Sequence, residues 1–266
     1  PIAHTMGGEV SGTIDESIRH AVTKFAHIHF PASAEAAERI VKLGERQSTV
    51  FNFGCPRMDL VKEILDNLPV IDTEELFSEG VGVTDIDMEQ SFLLVSQHPV
   101  TTEYGEGERQ IWATLEACAA TGLPTLALWP NSDAGSEDIA RGIRKWREQE
   151  HSNNMHYFKN LPIGVYVRLM KNTACLVGNS SSGIREGAFI GTPVVNVGSR
   201  QDMRERGGNV IDTNHDRQAI ESGILRQLEI GPRGPEPIYG DGTAGIRIAE
   251  TLARLGPIEV QKRITY

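Results

Sequence analysis

From residue 91 onward the chain alternates short apolar runs with helix-length amphipathic stretches, and that rhythm limits its fold more than any other feature. Apolar runs of strand length fall at 91–96, 124–129, 155–158, 174–177, 193–197 and 209–211. Helices are predicted at 106–121, 136–150, 163–171, 184–190, 217–228 and 243–255. Strands alternating with helices of this length form a parallel sheet covered on both faces. Right-handed crossovers make that sheet doubly wound. With 266 residues, of which 39% are hydrophobic, the chain can build one large domain or two smaller ones with real cores.

The first 90 residues are less regular. Residues 15–29 are predicted as a helix whose buried stripe is Ile14, Ile18, Val22 and Phe25. Ser33 is a candidate cap for a helix running through Ile40 and Leu43 to Gly44. Residues 49–53 read as a strand leading to a Gly-Cys-Pro turn, and 58–67 as another helix. The acidic, poorly periodic stretch 68–87 reads as a linker with one short helical piece.

Several classes are disfavoured by composition. No apolar run approaches the roughly 20 residues needed to cross a bilayer, so no membrane partner is expected. The start, PIAHTMGGEV, lacks the basic and apolar regions of a signal peptide. It also lacks an initiator Met and enters almost at once on a glycine-rich motif, as a fragment does. A net charge of −10 argues against a sequence-independent grip on nucleic acid. A local basic pocket for a diphosphate stays compatible with that total. Cys55, Cys118 and Cys175 share no metal-ligand spacing and suit small core positions in a reducing cytoplasm.

In a doubly wound sheet, ligands bind beyond the carboxyl ends of the strands. Three polar clusters are expected there: QHPVTT with His98, PNSDAG with Asn131, and GNSSSGIRE over 178–186. In the third, small residues between a strand and a helix leave backbone N–H groups open at a helix amino terminus. That is an anion site, favoured by the helix dipole and by serine hydroxyls. Glu186, one turn in, would repel a phosphate and suits ribose hydroxyls better. The same residues equally allow Ser180 to be only a helix cap and Glu186 to complete the first turn. The segment lacks the Gly-Lys-Ser/Thr of a P-loop, the G-x-G-x-x-G fingerprint and the G-x-S-x-G elbow.

A fourth cluster, HTMGGEVSGTIDESIRH, runs from His4 to His20. Its adjacent glycines permit close backbone approach. Glu9, Asp15 and Glu16 bring carboxylates near two histidines and Arg19, and Glu16 and His20 lie one helical turn apart. Such groups suit acid–base work on a sugar. Asp15 and Glu16 equally suit a helix's first turn as favourable charges. No metal is expected, since His27 and His29 would point different ways on the predicted helix.

The segments HTMGGEVSGTIDESIRHAVTKFAHIHF, GCPRMD, QHPVTTE, PNSDAGS, GNSSSGIREGAFIGTPVVNVGSRQ and IYGDG resemble, in this order, the hydrolysing UDP-N-acetylglucosamine 2-epimerases. These include bacterial sialic-acid enzymes and the epimerase half of the animal bifunctional epimerase/kinase. The resemblance implies an α/β fold of two Rossmann-like domains in a glycosyltransferase-B-like arrangement, the first incomplete, with the active site in the cleft. The implied boundaries are 1–85 for the end of the first domain plus linker and 86–242 for the UDP-binding domain. Residues 243–266 would form a helix and tail packing back towards the first domain. The implied reaction cleaves UDP from the sugar with inversion at C2, by elimination to a glycal and addition of water, giving N-acetylmannosamine and UDP. No cofactor is required. The implied setting is the cytoplasm, with a UDP-sugar as substrate and a homo-oligomeric assembly.

By motif, the resemblance places His98 against the diphosphate and leaving oxygen, and Asn131 in the nucleotide pocket. Ser180 and Ser181 would hold phosphates, Glu186 the ribose hydroxyls, and Arg200 would complete the site. His4, Glu9, Asp15 and Glu16 are the catalytic candidates near the sugar, with Arg19 supporting. Arg141 and Arg144 match positions near the animal enzyme's feedback site, although two arginines on one helix face are expected simply to be solvated. Met6 departs from the animal pattern, which carries a glutamate there. Three alternatives stay open: a UDP-2,4-diacetamido sugar as substrate, a non-hydrolysing epimerase, and a module that binds UDP without chemistry. The motif GGEVSGTIDESIRH speaks against the non-hydrolysing class.

Overall fold

The computed structural model describes residues 1–149 and 154–265. The chain divides into two compact units, one of Pro1–Asp66, Asp202–Glu205 and Pro237–Tyr266, the other of Asn67–Gln201 and Arg206–Glu236.

The smaller unit begins with β1 (Ala3–Thr5), α1 (Asp15–Phe25) and β2 (Ile28–Phe30), the two strands pairing in parallel. Helix α2 (Ala34–Lys42) starts as expected, with the Ser33 side chain accepting from the Ala36 N–H. Helix α3 (Pro56–Asp66) begins at the proline of GCPRMD, where a missing N–H costs nothing.

Three expectations for this region fail. The helix predicted over 15–29 stops at Phe25, because the chain turns extended at Ala26 and enters β2, which carries His29 fully buried. The His27–His29 argument from helix geometry therefore lapses. The stripe Ile14, Ile18, Val22 and Phe25 is not buried: these residues are 62%, 57%, 37% and 69% exposed. Helical periodicity shows that one face is apolar, not that something covers it. The strand expected at 49–53 is reduced to a short 3-10 turn at Gln47–Thr49 and one bridge between His29 and Val50.

In the larger unit the stretch 68–87 is more than a linker. It forms α4 (Thr73–Ser78), capped by Asp72, and a strand β3 (Gly80–Gly82). The expected alternation then follows: β4 (Leu93–Ser96), α5 (Gly107–Ala120), β5 (Thr125–Leu128), α6 (Ser136–Arg147), β6 (Met155–Phe158), α7 (Ile163–Asn172), β7 (Cys175–Gly178), α8 (Ser181–Ile190), β8 (Val194–Val197), β9 (Val210–Thr213) and α9 (Arg217–Ile230). The far end of the helix expected to reach Glu150 lies outside the described residues.

Among the described residues these strands form a seven-stranded sheet in the order β3-β6-β5-β4-β7-β8-β9. All neighbours are parallel except β3, which runs antiparallel to β6. Strands β4, β6, β7 and β8 are buried at every residue, which is why they read as unbroken apolar runs rather than alternating ones. Leu93, Ile111, Leu115, Val177, Val195 and Ile224 anchor the core between the sheet and its helices. Each such side chain contributes roughly 1.5–3 kcal/mol by leaving water. The fold class is thus α/β with a parallel-dominated, doubly wound sheet.

The chain rejoins the smaller unit through α10 (Ala244–Arg254). Ile248 of α10 packs on Ile28 and Phe30, beside Phe51 and Phe53, whose rings lie 6.1 Å apart. The segment after α10 is held by one side chain. Lys262 Nζ donates to the carbonyls of Thr23 (3.2 Å), Lys24 (2.8 Å) and Ala26 (2.5 Å), which a helix end leaves without partners. It also lies 2.6 Å from Glu45, a buried carboxylate that Lys24 reaches at the same distance. Burial opposes ionisation of Glu45, but the two ammonium groups outweigh it and hold its pKa below the ordinary value. Among the described residues no helix is long and apolar enough to cross a membrane.

Lys262→Met should lower the stability of the smaller unit by about 1–3 kcal/mol, read as a shift in its urea midpoint. Because the Glu45 pKa is depressed, its contribution is complete above its unfolded value and is lost as pH falls through the folded one. The gap between wild type and variant should therefore narrow in acid. A gap independent of pH would separate Lys262 from Glu45.

Candidate functional site

Strand order places a crevice between β4 and β7, since successive connections leave these neighbours in opposite directions. At their carboxyl ends the two backbones come unusually close. Gly178 has φ +133°, and a Cβ there would lie 2.6 Å from the Ser96 carbonyl carbon. Only glycine permits this approach.

Asn179, next after Gly178, exploits it to reach His98, two residues past the end of β4. Asn179 is fully buried; its Oδ1 accepts from the His98 N–H at 2.7 Å and its Nδ2 donates to the His98 carbonyl at 2.9 Å. The His98 ring is fixed too, because the backbone N–H of Asn131 donates to Nδ1 at 3.1 Å. An N–H can only donate, so in the neutral ring the proton sits on Nε2. Burial, then the nearby Arg200 charge, lower the His98 pKa to about 4, against a smaller opposing pull from Asp133. At neutral pH His98 is therefore an uncharged donor through Nε2–H.

Around it stand the other groups at the carboxyl ends. The Asn131 Nδ2 donates to Asp133 at 2.6 Å, and Arg200 lies 3.3 Å from the same carboxylate. Arg200 also donates to the Asn179 carbonyl at 3.1 Å, which Gln201 shares at 2.8 Å. Glu103, at the end of QHPVTTE, accepts from the Ser199 hydroxyl and from Gln110. These bonds tie the loops after β4, β5 and β8 to the start of α8.

Ser180 caps α8, accepting from the Ser182 N–H at 3.4 Å, as the plain reading of that segment expected. Its hydroxyl also meets Ser182 Oγ at 2.8 Å, which in turn meets the Tyr166 hydroxyl at 2.7 Å. Ser181 accepts from Arg185 at 3.2 Å. Glu186 is 4% exposed and lies 3.8 Å from the Arg185 guanidinium. A helix amino terminus, two guanidinium groups and a neutral imidazole donor make an edge suited to a polyanion.

The residues from His4 to His20 assemble within the smaller unit. Glu9 is 4% exposed and ion-paired to Arg204 at 3.2 Å, while Arg19 donates to the Glu9 carbonyl at 3.0 Å. Glu16 accepts from the Ser11 N–H at 3.0 Å and stands 3.6 Å from His20. His4 reaches the Thr23 hydroxyl. Asp15 is exposed in the first turn of α1, where a negative charge favours the helix. Met6 takes φ +61°, and its sulfur accepts from the Cys55 thiol at 3.6 Å.

Sequence reasoning did not single out Asn179, Asp133, Tyr166, Thr23 or Arg204. Asn179 lay in plain view beside Ser180, but its role depends on strand order. Arg204 falls nearly 200 residues from Glu9, and no spacing links the two. Arg141 is engaged by Glu108 and Asp138, and Arg144 by Glu137 and the Trp129 ring, all in exposed settings. The three cysteines are buried and unbridged.

A doubly wound sheet with polar groups gathered at its switch point defines the Rossmann-like class. The chain belongs to the UDP-N-acetylglucosamine 2-epimerase family, whose family model matches residues 1–253. It is 34% identical over 252 residues to the UDP-N,N'-diacetylbacillosamine 2-epimerase (hydrolyzing) of Legionella pneumophila, covering 95% of this chain and 64% of that protein. It is 30% identical over 254 residues to the UDP-N-acetylglucosamine 2-epimerase of Neisseria meningitidis, covering 94% and 64%. The chain therefore spans a little under two thirds of these relatives' length. In fold it is similar to the UDP-GlcNAc 2-epimerase of Neisseria meningitidis bound to UDP-GlcNAc, with TM-score 0.78 and 16% identity over 96% of this chain and 70% of that one. The UDP-GlcNAc 2-epimerase of Methanocaldococcus jannaschii in complex with UDP-GlcNAc and UDP gives 0.77 and 15% over 94% and 68%.

His98 should titrate near pH 4 and hold its proton on Nε2 at neutral pH, observable in 15N-histidine spectra. Because its pKa lies below the ordinary histidine value, folding should lose stability as pH falls from about 6.5 towards 4. Asn179→Ala removes both bonds to the His98 backbone and should raise the titration midpoint towards 6.5. A midpoint near 6.5 in the wild type would contradict the buried setting.

Proposed function

We propose that the chain carries the UDP-binding and part of the sugar-processing machinery of a hydrolysing UDP-sugar 2-epimerase. The observation that carries this reading is the edge of the larger sheet, where His98, Arg200 and the α8 amino terminus converge under the Asn179 lock. Ser180, Ser181 and Arg200 hold the diphosphate, and Glu186 accepts from the ribose hydroxyls. Asn131 lines the nucleotide pocket while its N–H orients His98. The uncharged His98 donates Nε2–H to the leaving oxygen as negative charge grows there, which an already protonated group is not needed to do.

In the proposed reaction a base takes the C2 proton, the C1–O bond breaks and UDP departs with that electron pair, leaving a glycal. Water then supplies hydroxyl to C1 and a proton returns to C2 from the opposite face. His4, Glu9, Asp15 and Glu16 are the candidates for moving these protons, with Arg19 holding Glu9 in place. Of the four, His4 is favoured, since burial and the Arg19 charge lower its pKa and leave it a free base at neutral pH. The exposed position of Asp15 favours its plainer role as a helix charge.

The favoured sugar is UDP-N-acetylglucosamine, yielding N-acetylmannosamine. A UDP-2,4-diacetamido sugar is the second reading, favoured by the 34% identity to the Legionella enzyme. The wild-type chain should bind UDP in calorimetry, and Arg200→Ala should weaken that binding by roughly 10- to 100-fold, as loss of a charge-assisted bond does. Incubation with each UDP-sugar, following release of UDP and the free 2-acetamido sugar, decides between substrates. Binding without turnover of either would favour a UDP-binding module. Absence of UDP binding would overturn the nucleotide-site assignment itself.

A further inference from the structure

His4 sits on β1 with its Nδ1 3.3 Å from the hydroxyl of Thr23, a residue of α1 with no exposed surface. That hydroxyl has one proton, and it donates it back along the helix to the Arg19 carbonyl at 3.0 Å. Helical threonines commonly make this bond. The Thr23 oxygen therefore faces His4 with a lone pair and can only accept. The contact is tight. Gly7 closes it from the third side, where a Cβ would lie 2.8 Å from His4 Nδ1 and 2.9 Å from Thr23 Oγ1. Thr23 is itself held from behind, since its carbonyl takes a hydrogen bond from Lys262 at 3.2 Å. No hydrogen-bond partner of His4 Nε2 is present among the described residues.

We propose that Thr23 is the positioning residue that holds His4 in its Nδ1–H tautomer, leaving the Nε2 lone pair directed away as a proton acceptor. Identifying the proton it takes as the one on the sugar's C2 rests on the function proposed above; the tautomer does not. His4 is thereby the opposite of His98: one imidazole is fixed as an acceptor through Nε2, the other as a donor through the same atom. The nearby Arg19 guanidinium carries only donors, and the buried His29, whose Nε2 meets Glu45 at 3.2 Å, makes no hydrogen bond to His4 through its Nδ1, so neither competes with Thr23.

Two-bond 1H–15N spectra of the 15N-histidine-labelled chain distinguish the tautomers directly. The expected result is Nδ1–H for His4 and Nε2–H for His98 in the same wild-type sample. Thr23→Val keeps the shape and removes the oxygen, so His4 should shift towards Nε2–H, while Thr23→Ser should restore the wild-type pattern and His98 should not change in either. Where turnover is measurable, Thr23→Val should lower kcat by roughly tenfold or more, leave KM within about twofold, and leave UDP affinity unaltered. Thr23→Ser should recover most of the loss. A wild-type His4 in the Nε2–H form would overturn the proposal, as would a Thr23→Val variant with its His4 tautomer unchanged. If Val disrupts the smaller unit, the wild-type and Ser spectra still decide. Absence of turnover in a wild type that shows the Nδ1–H form would sink the functional reading and leave the tautomer assignment standing.

Discussion

Asn179 uses both ends of its amide on a single residue, taking the His98 N–H and giving to the His98 carbonyl. That pairing joins β4 to β7 just where the sheet's connections diverge. It needs two conditions met beforehand: the strands must be adjacent, and their ends must be closer than a side chain at 178 would allow. Given both, the remaining polar bonds at this edge follow in series. The placed His98 ring accepts from Asn131, Asn131 orients Asp133, and Asp133 with the Asn179 carbonyl fixes Arg200. A buried network of this kind is rigid because each member's best partner is already committed.

The electrostatic character of this edge runs against the chain as a whole. A molecule of net charge −10 places Arg185, Arg200 and the amino terminus of α8 together and keeps the His98 imidazole uncharged. Net charge acts over the whole surface and is screened within about 10 Å in ordinary salt. Arg200 is 13% exposed and Arg185 17%, so both act at short range where screening is weak. A donor that stays neutral has a further use. It can strengthen its bond to an oxygen that gains charge without having attracted that oxygen's counter-ions beforehand.

The larger unit was largely legible, because a buried parallel strand is an apolar run and an intervening helix is an amphipathic one. Its helix and strand limits differ from expectation by only a few residues, and the clusters at 97–102, 130–135 and 178–186 do lie at strand ends. Strand β3 escaped because Gly80–Gly82 has no apolar signature; it is held by backbone pairing to β6. The smaller unit was read less well. Ala26 ends α1 without glycine or proline, so nothing local announced the turn into β2. The exposed stripe of α1 was misread because a single helix cannot reveal what lies against it. Bonds between residues far apart in the chain, such as Glu9 with Arg204 or Lys262 with Thr23, leave no trace in spacing at all.

Met6 sharpens the question of where protons move. A non-glycine residue at φ +61° is under backbone strain, and such strain persists only where the surroundings enforce it. Here the Met6 N–H donates to the Phe30 carbonyl at 2.8 Å and the sulfur takes the Cys55 thiol. The side chain is thus committed to an apolar sulfur contact and has no proton to exchange. Glu9 is buried and ion-paired to Arg204 at 3.2 Å. Glu16 is occupied by the Ser11 N–H. Among the described residues Glu9 Oε1 and His20 Nδ1 also lack hydrogen-bond partners but are shut away from solvent, and on the proposed reading the group that moves the proton is His4 Nε2. On that same reading the chemistry depends on an imidazole oriented by a threonine hydroxyl, since Met6 offers no carboxylate at its position.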